Sequence, residues 1–147
     1  MKRQFGCQWD EGIQYKQMFM HLSITAEKKI SEVQHDFSAE YPFLKIEFFR
    51  NGLKRKERYP AHLQIPNNRT IQEARSMQKG EGEMEIADDM SVADLENMFM
   101  DRYSLSVQVF RRSGNIWLET TMTDNWTLRQ QNEHGREISA PSKGTVQ

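Results

Sequence analysis

Seven cations form the most chemically suggestive pattern in this sequence. Arg50, Lys54, Arg55, Lys56 and Arg58 lie in one stretch, and Arg111 and Arg112 in another. Such groups neutralise phosphate oxygens, and the aromatic residues near them (Phe49, Tyr59, Phe110, Trp117, Trp126) offer faces on which bases stack. If both stretches reach the same sheet edge, they line a single phosphate-binding strip. Otherwise they are a solubilising loop and a charged strand that discourages edge pairing. The stretch LKIEFFRNG lacks the aromatic RNA-recognition signature, and a net charge of −1 with a pI near 6.4 supplies no long-range pull on nucleic acid.

Other chemistry is thinly represented. His21, His35, His62 and His134 have no short spacing that brings two imidazoles onto one metal ion. Asp88, Asp89 and Asp101 could meet a divalent cation, yet paired acids at a strand–helix junction ordinarily complement the helix dipole. Glu32 and Asp36 stand i, i+4, the spacing of many solvated carboxylate pairs. Cys7 is the single cysteine, so it makes no intramolecular disulfide and lies beside no histidine motif, which points to a reducing compartment. Walker-type, G-x-G-x-x-G and G-x-S-x-G motifs are all missing from the sequence. No cofactor, metal or catalytic residue is expected, and the chain reads as a non-enzyme.

The elements that must position these residues come twice. Ile30, Val33, Phe37 and Tyr41 recur 62 positions later as Val92, Leu95, Phe99 and Tyr103, a spacing that places each set on one stripe of a helix. After a one-residue deletion the offset is 61: Leu44, Ile46 and Phe48 match Leu105, Val107 and Val109, and Phe49-Arg50 match Phe110-Arg111. This part has period two, the mark of a strand with one buried face. Short strand-like runs, MHLSI and EMEIA, precede the two copies. Ser91 with Asp94 predicts the start of the second helix, whereas the first is expected to begin earlier, near Thr25. NNRTI and DNWTL close the copies, with Thr70 and Thr127 as N-caps and Ile71 and Leu128 as anchors.

The 147 residues are about one domain's worth, with a mean hydropathy of −0.83 but eight Phe, four Tyr, three Trp and nine Met to fill a core. The apolar runs are too short for a membrane-spanning helix, and the basic start is followed by no secretory h-region. The expected fold is α+β: two tandem βαβ-type repeats, residues 18–80 and 81–136, with helices packed on one face of a sheet. Residues 1–17 and 137–147 read as tails, because HGREISAPSKGTVQ has no apolar period. A ferredoxin-like arrangement fits this pattern. Paired, reduced β-grasp units fit as well, because the second copy's helix, strand and closing turn resemble those of ubiquitin-like domains.

Together, YPFLKIEFF, MSVADLENMFMDRYSLSVQVFRRSGNIWLETT and TDNWTLRQQNEHG make residues 18–136 resemble a family of small uncharacterised bacterial proteins with the same duplicated plan. That resemblance implies the fold and carries over no activity, cofactor or site. The functional expectation is a cytoplasmic interaction module that docks a protein partner or a second copy through an exposed strand face or edge, with no role at a membrane. The alternative is a nucleic-acid binder using the basic cluster at 50–58. Contacts in either case are assigned to Phe49, Arg50, Lys54, Arg55, Lys56, Arg58, Phe110, Arg111 and Arg112.

Overall fold

In the computed structural model, which describes residues 18–50 and 60–140, strand β1 (Phe19–Ile24) leads into helix α1 (Ile30–Glu40) and strand β2 (Leu44–Phe49). A short helix, α2 (Ile71–Ala74), closes the first unit. The second unit runs through β3 (Gly82–Ala87), α3 (Val92–Tyr103), β4 (Ser106–Ser113), β5 (Ile116–Glu119) and α4 (Leu128–Ser139). The class is α+β. The strands form two antiparallel ladders, β1–β3 and β2–β4–β5, where the sequence pattern suggested one shared sheet.

Each strand therefore pairs with its counterpart from the other unit. Leu22 lies opposite Met84, and Glu47 opposite Gln108; both are pairs of repeat-equivalent residues. Both ladders are thus centred on the same approximate two-fold relation. Alternation then sends Leu44, Ile46 and Phe48 with Val107 and Val109 to one face, where they are buried with Val33, Phe37, Leu95 and Phe99 of the helices. One core serves both units.

The closing turns clasp the helix starts in the same way twice. The N–H groups of Ile30 and Ser31 donate to the carbonyls of Arg69 and Asn67 at 2.9 Å each, and those of Val92 and Ala93 donate to Trp126 and Asp124 at 3.0 and 2.8 Å. In return Ile71 and Gln72 donate to Lys28 and Ala26, and Leu128 and Arg129 donate to Met90 and Asp88. Amides that a helix start leaves without an internal partner are satisfied by the neighbouring turn. Thr70 and Thr127 cap as expected, accepting from the amides of Glu73 and Gln130. The clasp also corrects the expected start of α1 near Thr25. Residues 25–29 are a turn committed to the clasp, and the helix begins at Ile30, with the Glu32 carboxylate accepting the Lys29 N–H at 2.9 Å.

Sequence 128–139 forms a helix although it has little apolar periodicity, because α4 docks through polar and small groups. Leu128, Gln131 and Gly135 are its buried residues. Asn132 accepts the Phe43 N–H at 2.9 Å, and at Gly135 an added Cβ would lie 2.9 Å from the Phe43 Cβ, 3.1 Å from the Arg111 Cγ and 3.2 Å from the Phe43 carbonyl oxygen. Gly135→Ala gains about 1 kcal/mol of helix propensity. It meets backbone that is itself held, since the Phe43 carbonyl accepts the Arg112 N–H. The expected net result is a loss of about 1–2 kcal/mol, read as a lowered melting temperature with faster amide exchange along α4.

Candidate interaction surface

The β4–β5 hairpin turns at Gly114-Asn115, where Gly114 takes φ +65°, a conformation glycine adopts without steric penalty. A two-residue loop makes the flanking pair, Ser113 and Ile116, the hydrogen-bonded one, and the next pair, Arg112 and Trp117, the non-bonded one. The Arg112 N–H accordingly points away from β5, donating to the Phe43 carbonyl at 2.9 Å. The N–H and C=O of Trp117 therefore face outward from β5, on the side opposite β4, and meet no partner among the described residues. The side chains there are apolar and open: Ile116 is 58%, Trp117 36% and Leu118 38% exposed, and Met122 just beyond is 94% exposed. On the Trp117 face, the Lys45 ammonium lies 5.5 Å from the Phe110 ring centroid and 5.1 Å from that of Trp117. Cation–π attraction thus holds the Trp ring over the sheet.

Among the described residues, the sequence-assigned contacts do not converge. Because β2 and β4 run antiparallel, equivalent positions of the two copies lie at opposite ends. Phe49 faces Ser106, Lys45 faces Phe110 and Arg111 faces Leu44. Arg50 and Arg111 are six positions apart along β2, roughly 20 Å at about 3.3 Å per residue. Phe49 and Phe110 do share the face opposite Ile46 and Val107, but Phe49 is only 2% exposed, leaving Phe110 half-buried and reachable. The Arg111 guanidinium donates to Gln131 at 2.8 Å and lies 5.8 Å from the Trp126 ring, so it serves the docking of α4. Arg50 and Arg112 are exposed, and the Arg112 Nε donates to the Gly114 carbonyl at 2.9 Å. Lys54, Arg55, Lys56 and Arg58 lie outside the described residues. Sequence reasoning passed over Lys45, Ile116, Leu118 and Met122. The signal for the edge was there: three successive apolar residues in a strand cannot all turn to one buried face.

A second polar centre joins the β3–α3 junction to α4. Asp88, 7% exposed, accepts from the Arg129 Nη2 at 2.8 Å and Nε at 3.1 Å, and from the Met18 N–H at 3.3 Å. This aspartate pairs with Arg129, and no cluster of His, Cys, Asp or Glu among the described residues could hold a metal ion. A shallow groove of about 340 Å³ runs beside it, between Trp126, Arg129, Glu133 and His134. Its cation is already engaged by Asp88. Burial pushes the Tyr41 phenol well above the usual tyrosine range, and the Asp88 charge pushes it further. A group whose pKa is raised by folding stabilises the native state below its unfolded pKa, near 10, and withdraws that stability as pH rises towards its folded value. Unfolding free energy should therefore fall above about pH 10 more steeply in the wild type than in Tyr41→Phe, by up to about 1.4 kcal/mol per pH unit, measured by urea titration at stepped pH.

Comparison with family models, with curated proteins and with solved structures finds no match to this chain. No helix among the described residues is long and apolar enough to cross a membrane.

Proposed function

We propose that this protein is a non-enzymatic interaction module of the reducing cytoplasm whose docking element is the β5 edge. The observation that carries the proposal is the open backbone of Trp117 flanked by the exposed side chains of Ile116 and Leu118. Natural edges are normally blunted by lysine, proline or a bulge, and a bare apolar edge is a template for adding a strand. The sequence IWLE carries none of these devices. For the fold, we read each unit as a reduced β-grasp of the duplicated family the sequence resembles. Support comes from the strand–helix–strand order and from the turn that clasps each helix start, and the two separate ladders favour it over a ferredoxin-like sheet.

The test compares wild type with Leu118→Lys. Leu118 is peripheral to the core, so the substitution should leave folding stability within about 0.5 kcal/mol. Wild type should self-associate in light scattering, or select extended peptides from a displayed random library, and the variant should lose both. A wild type that does neither, or one that binds a mixed RNA and DNA pool and releases it as salt rises, would overturn the reading in favour of the basic residues.

A further inference from the structure

We infer that the occupant of the β5 edge is a second copy of this chain, paired antiparallel about Trp117 to give one six-stranded sheet. The inference rests on the docking role proposed above and names its partner. The triplet Ile116-Trp117-Leu118 is self-complementary under a two-fold axis perpendicular to the sheet. With Trp117 opposite Trp117 of the second copy, the two outward N–H groups and two outward carbonyls meet as one hydrogen-bonded pair. The same register places Ile116 opposite Leu118 of the second copy on the other face, and Leu118 opposite Ile116. Apolar groups thus meet apolar groups on both faces, and both tryptophans lose solvent exposure.

Charge complementarity selects this occupant over an arbitrary peptide. Arg112 neighbours Trp117 on the same face and leans toward the turn, donating to the Gly114 carbonyl at 2.9 Å. Glu119 lies on that face two residues beyond Trp117, so in the paired register Glu119 of the second copy arrives opposite Asn115, beside this guanidinium. The two-fold axis makes the contact twice.

Full-length chain is studied by light scattering over a wide concentration range, together with isotope-filtered NMR on mixed labelled and unlabelled protein. The expected results are a concentration-dependent dimer, cross-copy contacts between Ile116 and Leu118, and slowed exchange of the Trp117 amide at high concentration. Arg112→Glu and Glu119→Arg should each weaken the dimer by roughly tenfold or more. An equimolar mixture of these two variants should regain it, because each then supplies the charge the other lacks. A dimer indifferent to both reversals and to Leu118→Lys would place self-association on another face and overturn the inference. A chain that stays monomeric yet selects peptides through β5 would overturn the second copy as occupant while leaving the docking role standing. A monomer that selects none would remove both.

Discussion

Phe48→Ala is expected to cost about 4 kcal/mol of unfolding free energy and to weaken both units together. Phe48 is fully buried, and its ring meets that of Phe99 edge-to-face, with centroids 5.9 Å apart and planes at 86°. Phe48 belongs to β2 and Phe99 to α3, so the contact joins the two halves of the chain. Truncation removes the aromatic pair and leaves a void lined by residues of both copies. Against a total of about 5–15 kcal/mol for an ordinary domain, the loss brings the variant close to its unfolding midpoint. Denaturant titration followed by both circular dichroism and tryptophan fluorescence checks the claim. Coincident, single transitions are expected, and separated transitions would show two cores where one is described.

The second large effect is expected at a polar residue. Gln131 is fully buried in α4; its amide nitrogen donates to the Thr123 carbonyl at 2.8 Å and to the Thr123 hydroxyl at 2.9 Å, and its oxygen accepts from Arg111 at 2.8 Å. Gln131→Leu keeps the volume and deletes all three bonds; the Thr123 carbonyl retains the Trp126 N–H at 2.9 Å, but the half-buried Arg111 guanidinium loses its bond to Gln131. The Arg111 Nε already has no hydrogen-bond partner, so the guanidinium has little left to hold it. The expected loss is about 3 kcal/mol, with α4 detaching before the rest in native-state amide exchange. A variant as stable as wild type would mean that apolar contacts of Leu128 suffice to hold the helix.

Gln131 and Gly135 also mark where sequence reading stops. The stripe Ile30, Val33, Phe37 and its copy Val92, Leu95, Phe99 announce their helices, because apolar burial at period 3.6 is a local pattern. Thr70 and Thr127 announce their caps for a similar reason, since a cap bonds an amide three residues away. A helix held by a buried glutamine and a glycine has no such pattern. Its stripe is polar, and its partners, Arg111 and Phe43, come from distant sequence.

The sequence by itself determined the α+β class, the existence of α1 and α3 with the strands beside them, and the apolar residues that fill the core, all of which follow from periodicities within single segments. Only the tertiary structure decided how the copies meet. A strand with one apolar face can pair parallel or antiparallel without changing which residues it buries, so alternation alone does not choose between them. The antiparallel choice sends Arg50 and Arg111, equivalent positions of the two copies, to opposite ends of the ladder. The hairpin that follows β4 places Trp117 on an edge, where its backbone N–H and C=O meet no other strand among the described residues.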